Sequence, residues 1–425
     1  MAEIRPFKGI RYTKEAGDIS KLVCPPYDII SEDERKAFLA ENQYNMIRLE
    51  LPVGDLPYEA AKNSLNAWIQ NGIVKQDMDE GLYIYELVFK ENVETGAEKS
   101  LKGLICLVRL EEFENNVVLP HEETLSKAKE DRFNLLSATN CNFSQIYSLY
   151  PDEKHITRER IDNLTSSQPP RYDFSDGLVT HRLWVVNDPV GTGAIIDDFK
   201  DRKLYIADGH HRYETALNYR RYCRENDIYN PGSEYVMMYL ADMSDPGLVV
   251  FPTHRLVRGI ENYSTEDILA ASREYFDITE LSSPEDILKT LQANSSSHIF
   301  GFYDGKISAA LTLTDPSVME SVIPGTSDDY RMLDVSILHS LILEKLLGID
   351  KENMANQKNL TYTRSEQEAL ESVDKGDSCC AFFLNPTKVS EIGNVAANGE
   401  KMPQKSTYFY PKLITGLVFN KLDEN

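Results

Sequence analysis

A chain of 425 residues with 41% hydrophobic and 27% charged side chains has the make-up of an ordinary water-soluble protein, long enough for two or three domains. Its 45 basic against 68 acidic residues leave a formal charge of −23, which opposes general attraction to DNA, RNA or anionic membranes, so a polyanion would have to be met at a local basic site. No apolar run is long enough to span a bilayer, and Met1-Ala2-Glu3-Ile4-Arg5-Pro6 does not open a signal peptide, so a cytoplasmic protein with neither membrane nor nucleic-acid partner is expected.

In chain order, Ser31 with Glu34 predicts a capping-box helix through about Ala40, Asn45 to Leu51 reads as a strand, and Pro57 to Gln70 reads as a second helix. Pro25-Pro26-Tyr27-Asp28 is a rigid elbow, a turn or a ligand contact. Gly81 to Phe89 and Leu101 to Leu110 flank a polar loop, as in a hairpin. After Pro120-His121-Glu122-Glu123-Thr124 a helix is expected to about Ser137. Eleven residues separate His121 from Arg132, which on one helix would set them within about 20° of one azimuth. Position 125 is Leu, so the HExxH spacing of a zinc protease is absent. The six cysteines show no CxxC spacing and suggest neither zinc site nor disulfide framework.

Ser166 to Asp176 reads as a linker or long loop, Arg182 to Asn187 as a strand, and Gly191-Thr192-Gly193 as a loop. The loop does not complete a dinucleotide fingerprint, because Ile196 stands where Gly or Ala belongs. Next come Lys203 to Ala207, strand-like, then Asp208-Gly209-His210-His211-Arg212, then Tyr213, Ala216 and Leu217 at helical spacing to about Glu225. A buried strand thus turns sharply into a helix, whose first N–H groups lack intrahelical partners and whose dipole end is positive. Such a junction suits a phosphate or carboxylate. Arg212 adds a planar fork of donors, Gly209 permits close approach, and Asp208 could orient a neighbour, hold a metal or accept a proton. The same residues also make an ordinary Asp-Gly turn with solvated histidines.

Further on, Tyr235 to Leu240 and Leu248 to Phe251 read as strands, and His254-Arg255 brings a second His-Arg pair to a strand end. A boundary is expected near Gly259. Ser264 and Ser283-Pro284 open helices, His298 to Leu313 is a hairpin turning at Asp304-Gly305, and Asp334 to Gly348 is an apolar helix with His339 in its core. Near the end, Lys405-Ser406-Thr407 sets an ammonium beside two hydroxyls before an aromatic strand. These are groups suited to phosphate oxygens, or an edge strand guarded by Lys and Pro.

Asp208-Gly209-His210-His211-Arg212 at a strand-to-helix junction resembles the phosphate-binding box of the ParB/sulfiredoxin-like fold. His210 replaces the reactive cysteine of sulfiredoxin, which disfavours that chemistry. Pro120-His121-Glu122, the Asp-Gly-His-His-Arg box, Lys375-Gly376-Asp377 and Pro403-x-Lys405-Ser406-Thr407 follow the order seen in the free L-serine kinases of this fold. With Arg5-Pro6-Phe7-Lys8-Gly9 and Pro25-Pro26-Tyr27-Asp28, the whole chain is similar to the family known as domain of unknown function 1015.

The resemblance implies an α+β (mixed α/β) fold: an N-terminal α/β region over residues 1–100, a ParB/sulfiredoxin-like core over 101–259, and a C-terminal α/β domain over 260–425 closing on the site. It implies a phosphotransferase working between ATP or ADP and a small hydroxy amino acid, free L-serine or O-phosphoserine, with Mg²⁺. Glu122 would act as general base and Asp208 would lie near metal and acceptor. Gly209, His210, His211, Arg212, Lys405, Ser406 and Thr407 would hold nucleotide phosphates, with His121, Arg132, His254 and Arg255 as weaker candidates for substrate. The alternatives are a phosphoserine phosphatase on the same groups and a nucleotide-binding switch without turnover.

Overall fold

In the computed structural model, which describes residues 1–91, 96–122, 126–261 and 263–423, the chain is mixed α/β and forms two units. Of the described residues, the first holds 1–120, 126–249 and the tail from Pro411, and the second holds His121, Glu122 and Val250–Tyr410.

The first unit is built on a nine-stranded mixed sheet. Its strands are β1 (Ile4–Arg5), β2 (Leu82–Lys90), β3 (Glu98–Arg109), β4 (Val118–Leu119), β5 (Ile146–Tyr150), β6 (Tyr172–Ser175), β7 (Val179–Val186), β8 (Leu204–Asp208) and β9 (Tyr235–Asp242). They lie in the order β4-β8-β5-β9-β3-β2-β7-β6, with β1 on β3. The central strands are buried along nearly their whole length, which explains why β2 reads as a continuous apolar run rather than an alternating one. On one face Ile84, Leu104, Cys106, Ile146 and Met238 form a core with Phe199 and with Tyr213 and Leu217.

The helices of this unit include α1 (Glu32–Glu41), α2 (Pro57–Gln70), α3 (Ser126–Thr139) and α4 (His210–Glu225). Helix α1 begins with the expected reciprocal box, Ser31 accepting from the Glu34 N–H while Glu34 accepts from Ser31. The first seventy-odd residues pack their own cluster around Met46, Leu65 and Trp68, and Phe419 of the tail joins it. Backbone bridges from Ile10 to Phe419 and from Cys24 to Thr415 fasten that tail in place.

Several local expectations are corrected. Residues 45–51 are helical over Ile47–Glu50 instead of extended, because the Asn45 side chain accepts from the Ile47 N–H at 3.0 Å and turns the backbone. Of residues 166–176, which read as a linker or long loop, only 167–171 form a loop: a helix ends at Ser166, and β6 pairs antiparallel with β7. Asp176 caps that turn by accepting from the Leu178 and Val179 N–H groups, while Gly177 supplies φ +100°. Gly191-Thr192-Gly193 lies inside the helix Pro189–Phe199, which Asp188 caps at 2.6 Å with Pro at its first position.

His121 and Glu122 precede α3 in an extended segment, so the shared helical face with Arg132 does not exist. Glu123 and Thr124 lie outside the described residues.

The second unit carries a six-stranded sheet of β10 (His254–Val257), β11 (Phe276–Glu280), β12 (Ile299–Tyr303), β13 (Ser308–Leu313), β14 (Leu360–Thr363) and β15 (Cys380–Phe383). Their order is β11-β13-β12-β15-β10-β14, every pair antiparallel. The Asp304-Gly305 turn joins β12 to β13 as expected, with Gly305 at φ +90°. The expected apolar helix from Asp334 is α-helical only over Asp334–Ile337 and continues as a π-helix over Leu338–Glu344. Among the described residues no helix is long and apolar enough to cross a membrane.

Candidate functional site

In the first unit, β8 runs into α4 at Asp208-Gly209-His210-His211-Arg212. The register against β5 shifts between Ile206 and Asp208, an irregularity of the kind that re-aims a side chain at a strand end. Gly209 sits at φ +95°, and a Cβ there would come within 2.8 Å of the Arg212 guanidinium. Alanine at Gly209 therefore meets both an unfavourable backbone region and a crowded neighbour. We expect Gly209→Ala to lower stability by about 1–3 kcal/mol, read by denaturant unfolding.

Gly209 gives α4 no side-chain cap, and the first turn carries no acid. Helix α1 places Glu32, Asp33 and Glu34 in its first turn, as the dipole favours. Helix α4 puts two histidines and an arginine at its positive end instead, where the dipole itself favours negative charge. Tyr213 fixes the first turn, its hydroxyl donating to the Glu111 carbonyl at 2.7 Å and accepting from the Glu111 N–H at 3.0 Å.

Two cations converge on Asp208. Arg212 Nη2 donates to Oδ2 at 2.8 Å, and the Lys412 ammonium donates to Oδ1. Burial, the largest single influence, pushes the Asp208 carboxyl up, but Lys412, Arg212 and His210 outweigh it and hold it down to about 2. Arg212 is braced further by the Gln145 carbonyl at 2.6 Å. Lys412 went unnoticed in the sequence because it stands 204 residues from its partner. The fastening of the tail to the N-terminal residues puts it there.

Arg212 also lines a cavity of about 50 Å³ with Glu50, Arg132 and Ser144. Arg132 donates to the Glu50 carbonyl at 2.8 Å, and its guanidinium lies 4.1 Å from the Tyr27 ring centroid. Tyr27 belongs to the Pro-Pro-Tyr-Asp elbow, which thus touches the charged cluster. Burial raises the Glu50 carboxyl despite Arg132 and Arg212 nearby. Glu50 is the other residue missed from sequence.

In the second unit, two segments far apart in sequence come together. Glu122 pairs with Met402 in a parallel bridge, and the Met402 N–H donates to the His121 carbonyl at 2.7 Å. Glu122 Oε1 accepts from the Lys405 N–H at 2.8 Å, and His121 Nε2 lies 2.9 Å from the Thr407 hydroxyl. Arg255 Nη2 donates to the Lys405 carbonyl at 3.2 Å. Lys405 is held at φ +58°, a left-handed conformation that side chains rarely adopt, and its side chain is exposed. The Ser406 hydroxyl closes the turn onto the Pro403 carbonyl at 2.5 Å. Lys375-Gly376-Asp377 lies beyond the helix Glu366–Asp374, where Lys375 pairs with Glu371 on the surface.

His254 turns elsewhere: its Nδ1 accepts from the Leu384 N–H at 3.4 Å and its ring packs on Phe383. Burial, helped by Arg255, pulls it down to about 4, and pulls His339 down as well. Both folded values lie below the unfolded one, so below about pH 6.5 the unfolded chain binds more protons and stability falls as pH drops toward 4. Denaturant unfolding between pH 7 and 4 should show that decline, and His254→Gln should reduce its slope.

Among the described residues no group of three or more His, Cys, Asp or Glu could hold a metal ion.

The family model described as a protein of unknown function (DUF1015) matches residues 4–336. No curated protein matches the sequence. Solved structures similar to the chain include a free serine kinase variant in complex with AMP, 14% identical with a TM-score of 0.37, covering 72% of this chain and 86% of that one. A conserved hypothetical protein from Pyrococcus furiosus is 13% identical with a TM-score of 0.35, covering 73% and 92%. SbnI with C-terminal truncation, from Staphylococcus aureus, is 11% identical with a TM-score of 0.37, covering 73% and 85%.

Proposed function

The chain belongs to the DUF1015 family of proteins of unknown function, and within it we propose a phosphotransferase that moves a phosphoryl group between ATP or ADP and a small hydroxy amino acid, free L-serine in the first instance. The observation that carries the proposal is the start of α4: an uncapped helix end, free of acids, bearing His210, His211 and Arg212, with Arg212 and Lys412 together on Asp208. The Arg212 guanidinium and the Lys412 ammonium are both held at Asp208 beside the positive end of the helix, and groups of this kind suit the phosphates of a nucleotide. Phosphoryl transfer depends on charge neutralisation and in-line positioning more than on covalent chemistry, and this chain has no Walker A motif to supply them.

In this reading the acceptor hydroxyl oxygen attacks the terminal phosphorus, the bond from that phosphorus to the nucleotide breaks, and Glu122 takes the hydroxyl proton. Both oxygens of Asp208 already accept from cations, so Asp208 as it stands is not an open ligand for Mg²⁺. Any Mg²⁺ is then carried by nucleotide phosphates and water, as this ion commonly is, and Asp208 serves to aim Arg212 and Lys412.

Incubating the protein with Mg²⁺, each nucleotide, and serine or phosphoserine, followed by phosphorus NMR, tests the proposal. A serine-dependent phosphoserine resonance is expected. Phosphate released from phosphoserine without nucleotide would make the protein a phosphatase, and nucleotide binding without product would make it a switch.

A further inference from the structure

A second cavity of the first unit lies away from α4. It opens where the parallel strands β5 and β9 end side by side, Tyr150 in register with Asp242, whereas Asp208 is in register with Tyr147 near the start of β5. The carboxyl ends of parallel strands are where open α/β sheets place their ligands. The cavity measures about 80 Å³. One water needs roughly 10–15 Å³ by this measure, so the space is that of a molecule of a few heavy atoms. The helix Ile156–Ser166 covers it with Arg158, Ile161 and Asp162.

Two polar groups on its wall are incompletely matched. Tyr150 is 1% exposed, and its hydroxyl has no hydrogen-bond partner among the described residues. The Tyr239 hydroxyl is also unpartnered but is sealed inside the sheet; the Tyr150 hydroxyl is not sealed, and the cavity is what it opens on. Asp245 is 6% exposed. Its Oδ1 accepts from the Gly247 N–H at 2.7 Å, while Oδ2 has Arg158 Nη2 at 3.9 Å, too far for a hydrogen bond. Asp242, by contrast, accepts from the Ser244 N–H at 2.9 Å and from the Ser244 hydroxyl on both oxygens. A Cβ on Gly247 would come within 2.0 Å of the Ser100 carbonyl oxygen, so the turn carrying Asp245 is held tightly against β3 before any ligand arrives.

Charge decides the kind of occupant. Lys102 is matched by Asp162 at 2.8 Å, and Arg202, over the Tyr150 ring, is matched by Asp152 at 2.8 Å. With His155, 3.4 Å from Asp242, counted as neutral, Asp242 and Asp245 then face Arg158 alone, an excess of one negative charge. Burial raises the Asp245 carboxyl, the Gly247 N–H and Arg158 hold it back only in part, and Asp242 and Asp162 push it further up. Among the described residues no three acids, histidines or cysteines are placed to hold a metal ion, which leaves an organic cation.

We propose that this cavity binds the ammonium group of a small primary amine, which donates to Asp245 Oδ2 and to the Tyr150 hydroxyl oxygen while its short carbon chain lies against Ile161. A monocation offsets the excess charge, and a zwitterionic amino acid would leave it standing. The proposal is independent of the nucleotide reading, which rests on α4.

Propylammonium, its neutral isostere propanol and zwitterionic glycine serve as probes, titrated at constant ionic strength into full-length protein carrying ¹³C-methyl isoleucine. A saturable shift of the Ile161 methyl resonance is expected with propylammonium, with propanol and glycine each at least about 5-fold weaker. Asp245→Asn keeps an oxygen to accept from Gly247, and Tyr150→Phe keeps the ring packed on Phe199. Each should weaken propylammonium about 5- to 10-fold with the unfolding temperature little changed. No saturable shift, propanol or glycine binding as tightly as propylammonium, or unchanged binding in both variants would overturn the proposal.

Discussion

Arg212→Ala is expected to weaken ADP binding by about 1.5–3 kcal/mol, roughly 10- to 150-fold, measured by titration calorimetry. Arg212 is more than a charge at this position. Its two terminal nitrogens are aimed by Asp208 at 2.8 Å and by the Gln145 carbonyl at 2.6 Å, so the fork is ordered before any ligand arrives. Arg212→Lys keeps the charge and loses the planar fork, and should recover only part of the affinity. Lys412→Ala should also weaken binding, because it takes a cation from the same carboxylate. Removing either cation leaves the Asp208 carboxylate with one partner, so unfolding must be followed beside binding. Unchanged ADP affinity in a folded Arg212→Ala protein would take the phosphates away from α4.

The half of this cluster that was legible in sequence is the half that is local. Residues 203–217 carry their own instructions: an apolar strand, a glycine able to take φ +95°, then apolar residues at helical spacing. Lys412 has no such signal, since nothing in the sequence beside it points 204 residues back to Asp208. Glu50 was hidden by its surroundings. In residues 47–51 apolar Ile47, Leu49 and Leu51 alternate with Arg48 and Glu50 at a strand-like period, while the Asn45 side chain, donating to the Lys21 and Val23 carbonyls and accepting from the Ile47 N–H, helps the segment turn. Arg132 reads from sequence as a weaker substrate candidate on a polar helix, yet it is 6% exposed, because Glu50 and Tyr27 come to it from residues whose packing the sequence does not announce.

The largest effect is expected at Glu122. Glu122→Gln should leave ADP binding intact and lower turnover by about 10² to 10⁴, the usual cost of losing a general base. The structure makes this substitution unusually discriminating. Glu122 Oε1 accepts the Lys405 N–H at 2.8 Å and so helps to hold Lys405 at φ +58°. A glutamine oxygen can accept the same hydrogen bond, so the turn over residues 402–407 should survive while the ability to take a proton is lost. Glu122→Ala removes both and should lower stability as well as rate, by about 1–3 kcal/mol for the carboxylate-assisted bond and the turn it holds. If Glu122 only clamps Lys405, glutamine will be nearly as active as the parent and alanine alone will fail. The comparison of the two variants by steady-state rate and by unfolding therefore separates a base from a clamp, and full activity in both would remove His121-Glu122 from the reaction.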